Sequence, residues 1–175
     1  MQRGANRPDS PAEASILTLR EPVANSASVP WFKSEDEIAA DLLCDVQRAC
    51  TRLARQLEEH ADRAPYPQFA ERLTELVGEQ EDSARKLSFR LAQLGRNSPE
   101  NGTTPTRDGR SSWERLRVSL EDYRALIRQL SQLKARWDDE RPEDAALVGL
   151  LRDRALGHRE VLIDLLARSD PHAFD

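Results

Sequence analysis

Four stretches of this 175-residue chain place an apolar residue every three or four positions for about seven turns each, and that regularity decides most of what the chain can fold into. The first runs through Ile38, Leu42, Val46, Ala49 and Cys50, Leu53, Leu57 and Ala61. The second passes Phe69, Leu73, Leu76, Gln80, Ser83, Leu87, Leu91 and Leu94. Leu116, Leu120, Tyr123, Ile127, Leu130, Leu133 and Trp137 make the third, and Val148, Leu151, Ala155, His158, Leu162 and Leu165 with Leu166 the fourth. Such spacing puts one apolar stripe on each of four helices. No convincing alternation of period two occurs, so no strand is expected.

The breaks between the stripes carry helix-end chemistry. Ser34 and Glu37 stand in capping-box spacing, and Ser111 with Glu114 repeats it. Pro65 and Pro67 divide the first two stripes, and Pro67 and Pro142 each suit the first turn of a helix. Gly95 suits a helix end. The expected helices are 34–63, 67–95, 111–138 and 142–168, within a bundle spanning 34–169. The linker 96–110 is rich in Asn, Gly, Pro and Thr. Residues 1–33 are expected to be a disordered or loosely docked tail, with Ile16 to Val23 as the only segment able to seat on the bundle. Residues 170–175 form a C-terminal tail.

Connection lengths set the topology. Helices of this length are ~40 Å long. The two outer connections are short, whereas the middle one has about 14 residues and reaches ~46–50 Å when extended. Antiparallel neighbours need only 2–8 residues. A crossover that leaves the second and third helices parallel is therefore expected. A shift of 75 residues lays Pro67 on Pro142, Leu76 on Leu151, Ser83 on His158 and Gln80 on Ala155, as if one hairpin were repeated.

Composition narrows the function classes. Charged residues make up 33% of the chain and aromatic residues 5%, with a net charge of −5. Acidic and basic groups are interleaved, so no basic stripe exists to follow a phosphate backbone, and nucleic-acid binding is not expected. No apolar run is long enough for a membrane span, and the first 30 residues lack a secretory apolar core. Cys44 and Cys50, six apart on one helix, cannot bridge each other. Two unpaired thiols point to a reducing, cytoplasmic setting. Nucleotide-binding glycine loops and a nucleophile elbow are missing. Neither His60 nor His158 is followed by the lysine and glycine of a phosphotransfer histidine.

Two hairpins joined by a long crossover resemble the ferritin-like superfamily, over about residues 35–168. Glu79-Gln80-Glu81-Asp82-Ser83-Ala84-Arg85-Lys86-Leu87 is similar to the Glu-rich, His-Ala-x-x-Leu stretch of rubrerythrin-type helices, with serine where histidine belongs. The segment around His158 resembles the matching stretch of the fourth helix. Leu94-Gly95, a loop and then Trp113 are similar to a family of uncharacterised bacterial ferritin-like bundles.

The resemblance implies a dinuclear metal site built from four carboxylates and two histidines, with Glu-x-x-His motifs. The chain has no Glu-x-x-His. Gln80, Ser83 and Ala155 stand where ligands belong, and only His158 matches. Asp122, or less readily Glu121, is a candidate second ligand on the third helix. The first helix offers Val46, Gln47 and Cys50, none of them a carboxylate.

The expectation is thus a metal-free, cofactor-free, non-catalytic bundle, acting as an interaction or stress-associated protein with a protein partner or a second copy of itself. Its centre should hold a polar core cluster of Gln80, Ser83, Tyr123 and His158, with His158 bonded to Asp122, Gln80 or Tyr123. The alternative is a degenerate mononuclear metal-binding protein that uses His158 and Asp122.

Overall fold

The computed structural model describes residues 33–98 and 105–169. The expected tails, including Ile16 to Val23, lie outside the described residues except for Lys33. Four helices follow in order: α1 (Glu35–Ala61), α2 (Pro67–Gln93), α3 (Ser112–Trp137) and α4 (Pro142–Arg168). No strand occurs among the described residues.

Local chemistry explains each end. Ser34 Oγ accepts from the Glu37 amide at 3.2 Å and the Glu37 carboxylate accepts from the Ser34 amide at 2.8 Å, closing a capping box. The second box is only half made. Ser111 Oγ accepts from the Glu114 amide at 3.2 Å, but the Glu114 carboxylate accepts from the amide of Arg110, one residue further back. At the end of α2, Gly95 adopts φ +69°. The Arg96 amide then reaches Leu91 O at 2.9 Å and the Gly95 amide reaches Ala92 O at 3.0 Å, a Schellman closure that needs the left-handed residue.

Side-chain pairs fix the helix directions. His60 meets Ser119 while Arg52 meets Asp122, so α1 and α3 run antiparallel. Arg90 meets Asp144 while Asp82 meets Arg154, so α2 and α4 do as well. With each hairpin antiparallel, α2 and α3 are parallel. The linker leaves beside Asp41, which Arg96 engages, and returns at Glu59, where Thr106 Oγ1 donates at 2.6 Å. Its described ends therefore stand near opposite ends of α1.

The hairpins meet along α1 and α3, while α2 and α4 touch more sparingly. Inside lie Leu43, Val46, Leu53, Leu57, Leu87, Leu91, Leu130, Val148 and Leu162, all without solvent exposure. Burying side chains of this size supplies about 1.5–3 kcal/mol each, the main favourable contribution to the fold. One end is fixed by charge instead. Asp144, fully buried, accepts from Arg90 Nε and Arg141 Nε, both at 2.6 Å, and Arg141 also reaches Asp36 on α1. Among the described residues no helix is long and apolar enough to cross a membrane.

Candidate functional site

The stripes of α2, α3 and α4 are each interrupted by a polar residue near mid-helix, and the fold brings these interruptions together. His158 Nδ1 lies 3.0 Å from Tyr123 Oη, and Tyr123 Oη lies 3.3 Å from Gln80 Oε1. All three side chains are almost wholly buried. From α1, the Cys50 thiol touches the Gln80 amide. On the outer side His158 Nε2 lies 2.8 Å from the carboxylate of Glu79, whose side chain is 56% exposed.

Proton placement follows from this geometry. Burial pulls the His158 imidazole below its ordinary value, with Glu79 opposing, so the neutral ring dominates. A carboxylate only accepts, so the single ring proton sits on Nε2 and is donated to Glu79. Nδ1 is then an acceptor, and Tyr123 Oη donates to it. Having spent its proton, the tyrosine oxygen needs a donor from Gln80. The Gln80 Nε2 is buried and unpaired when Oε1 faces Tyr123. Rotating the amide lets Nε2 donate to Tyr123. The result is a one-way chain of donors from Gln80 through Tyr123 and His158 to Glu79.

The chain is held in its neutral form. Burial pushes the Cys50 thiol up to about 12, against the Gln80 amide. Burial likewise raises the Tyr123 phenol well above its ordinary value, with Cys50 and Glu79 adding to the effect. The Tyr123 and His158 rings meet edge-on, with centroids 5.3 Å apart.

Ser83 is at the same level but outside this chain. Its hydroxyl donates to Glu79 O at 2.9 Å and accepts from Arg154 Nη1 at 3.0 Å. Arg154 Nη1 also reaches Glu79 O at 3.0 Å and Asp82 Oδ2 at 2.9 Å. Ala155 lines the core. The expected polar cluster is thus three joined residues, with Ser83 tied to a guanidinium beside them.

Asp122 goes elsewhere, and here the sequence expectation is corrected. Although adjacent to Tyr123 in sequence, it is a helical step of ~100° away and faces α1 and the returning linker. Its carboxylate accepts from Arg107 Nη1 at 3.0 Å, Gln56 Nε2 at 3.1 Å and Arg52 Nη1 at 3.3 Å. It is not among the partners of His158, so those two residues do not form a common ligand pair. Glu121 pairs with Arg107 and Arg117 on the outside.

Around Asp122 a second polar cluster pins the crossover. Gln56 Oε1 accepts from the Arg107 amide at 2.8 Å, and Gln56 Nε2 also reaches Ser119 Oγ at 3.4 Å. His60 Nε2 lies 3.3 Å from the Arg107 carbonyl and Nδ1 lies 3.1 Å from Ser119 Oγ. A carbonyl only accepts, so Nε2 carries the His60 proton and Ser119 donates to Nδ1. Burial pulls this imidazole down to about 4, against the Arg107 carbonyl.

Sequence reasoning placed Cys50 on the first helix at this level but missed Glu79 and Arg154 as neighbours of His158. Glu79 and Arg154 each precede a flagged position, Gln80 and Ala155, and read as solvated surface by stripe alone. Among the described residues no three His, Cys, Asp or Glu side chains converge in a way that could hold a metal ion.

No protein-family model matches the chain, and no curated protein does. Solved structures do match. A Rhodobacter capsulatus bacterioferritin, with a metal-free dinuclear site and a haem iron, superposes with a TM-score of 0.70 at 16% identity, over 78% of this chain and 87% of that one. A Mycobacterium smegmatis Dps1 mutant gives 0.66 at 16% identity, over 77% and 99%. A Desulfovibrio desulfuricans bacterioferritin, studied for the catalytic states of its diiron site, gives 0.67 at 12% identity, over 75% and 80%. The chain has the ferritin-like fold.

A dinuclear metal site does not fit the residues at the centre of this bundle. Two divalent ions in a low-dielectric core need several anionic ligands. The positions that the resemblance assigns to ligands offer an amide, a hydroxyl, a methyl and one imidazole. Both nitrogens of that imidazole are already hydrogen-bonded, to Tyr123 and Glu79. Arg154 places a fixed positive charge beside Ser83.

Proposed function

We propose that this chain is a ferritin-like bundle that acts without metal chemistry, as a non-catalytic protein working by association with other protein surfaces in the cytoplasm. One observation carries the reading. The centre of the bundle is closed by the chain from Gln80 to Glu79, which leaves no unshared lone pair on His158 for a metal. Its buried members, Gln80, Tyr123 and His158, are polar but neutral, and the one charge, on Glu79, stands at the exposed end, so the buried part serves the core as a hydrogen-bonded network does.

The surroundings agree. The thiols of Cys44 and Cys50 are both buried and unpaired, as suits a reducing compartment. α4 carries two large apolar side chains among the charged residues of its outer side, Leu150 at 50% and Ile163 at 39% exposure. Exposed apolar side chains of this size suit contact with a protein partner. Association with itself or with another protein, in a stress response or otherwise, is the role left to such a bundle.

The test is metal loading of untagged protein with iron(II), manganese and zinc, followed by dialysis and elemental analysis. Iron(II) oxidation is followed in parallel. The expected result is no stoichiometric metal and oxidation at the rate of buffer alone. Stoichiometric metal that survives dialysis and disappears in His158→Leu would overturn the proposal.

A further inference from the structure

We infer that the open side between α2 and α4 is a self-complementary docking surface, and that its occupant is a second copy of this chain related by a two-fold axis. The inference deepens the reading above by naming the associating partner.

The surface is a groove of about 530 Å³ lined by Phe89, Leu147 and Leu150, with Arg85 and Lys86 on one wall and Glu143 at its end. Phe89 is 68% exposed and Leu150 50%, and Phe89 is the most exposed large apolar side chain among the described residues. It lies where the two hairpins pack most sparingly, so no other helix of the described bundle covers it.

Charge identifies the occupant. Asp82 is shared by three cations: Lys86, Arg154 at 2.9 Å and Arg85 at 3.6 Å. The lining of the groove carries Arg85, Lys86 and Arg90 against Glu143, a local positive excess in a chain whose net charge is −5. The opposite end of the groove carries Glu143, whose side chain is 81% exposed and engages only the edge of Arg90 at 3.1 Å. Basic groups, an apolar middle and an acidic group therefore follow one another along one face.

Register makes this order self-matching. Arg90 meets Asp144 and Asp82 meets Arg154, so Arg85 and Lys86 stand near the level of Leu150 and Leu151. An antiparallel pair of α4 helices with the two-fold axis at Leu147 sets Glu143 of each copy at the level of Leu151 of the other. The partner's Glu143 then falls opposite Arg85 and Lys86, and the reverse contact follows by symmetry. Between them Phe89 and Leu150 of both copies meet. An isologous interface requires this kind of reciprocity.

The experiment is solution mass by sedimentation or light scattering on the full chain over a concentration series. The mass should rise from one chain to two. Phe89→Glu with Leu150→Glu should hold it at one, with helicity and melting temperature unchanged, because both side chains are outside the core. Glu143→Lys should weaken the dimer, and adding Arg85→Glu and Lys86→Glu should restore it. A monomer at every concentration gives the groove to another occupant and overturns the inference, as does a dimer that survives the glutamate pair. Failure of the charge exchange to restore association overturns the two-fold register. None of these readouts depends on metal, so the inference and the metal-free reading fail separately.

Discussion

His158 and Tyr123 are joined by a single buried hydrogen bond of 3.0 Å, and each is the other's reason for being polar at the centre of an otherwise apolar bundle. The sequence alone suggests that His158→Leu is close to neutral. The structure changes that expectation, because the leucine would take away one of the two partners of the Tyr123 hydroxyl and turn Glu79 loose. Tyr123→Phe would strand His158 Nδ1. Each single substitution should cost about 1–3 kcal/mol, the usual penalty for a buried group left without its partner. The double substitution should cost less than the sum, because neither partner is then left unpaired. Urea unfolding of the four proteins measures the coupling, and simple additivity would show that the two side chains are not paired.

Acid should destabilise the fold in a window set by histidine. The His60 imidazole sits at about 4 in the folded protein, against about 6.5 in an unfolded chain. Between those values the unfolded state binds the extra proton, so stability falls as pH drops from about 6.5 to about 4 and is fully present above it. Over the whole window His60 accounts for roughly 3 kcal/mol. His158 is shifted in the same direction and adds to the slope. Denaturant midpoints taken at steps through this window test the sign. His60→Gln should flatten the curve, and an unchanged slope would mean that the ring is protonated in the folded state.

The stripes should be as deep as they look. Leu57 and Leu162 have no solvent exposure and come from different hairpins. Truncation of either to alanine should cost about 2–5 kcal/mol, combining lost transfer energy with the cavity left behind. Thermal unfolding followed by circular dichroism reads both, and a loss under about half a kcal/mol would place the residue on the wrong face.

These leucines also show what was legible beforehand. Period and capping chemistry are local, so the helices could be read from residues such as Ser34, Gly95 and Pro142. The crossover could be read from linker length because reach is a geometric limit. The partners of His158 could not. Glu79 and Asp122 are both carboxylates beside a flagged residue, and only the rotation of α2 and α3 in the packed bundle decides which one meets the imidazole. The same holds for Gln56 and His60, which read as helix interior and turn out to hold the returning linker. Pairwise contacts between helices depend on rotation by tens of degrees, which a stripe more than 100° wide does not specify.

The end of the bundle where α1, α2 and α4 converge depends on Asp144. Its carboxylate is fully buried and receives Arg90 and Arg141, whose side chains are 20% and 15% exposed. Burial pushes the carboxyl up, but the two guanidiniums outweigh it and hold it below the ordinary value. Removing the carboxylate leaves two largely desolvated cations with only their outer partners, Glu143 and Asp36. Asp144→Ala should therefore cost about 3–5 kcal/mol, as breaking one side of a buried ion pair does. Shielding by salt should barely change that cost, since buried charges are screened little. By contrast, Glu121→Ala removes the outer partner of Arg117 and Arg107, whose side chains are nearly half exposed, and should cost under about 1 kcal/mol. Unfolding curves at low and high ionic strength separate the two cases. An Asp144→Ala penalty that vanishes in high salt would mean that this carboxylate is reached by solvent.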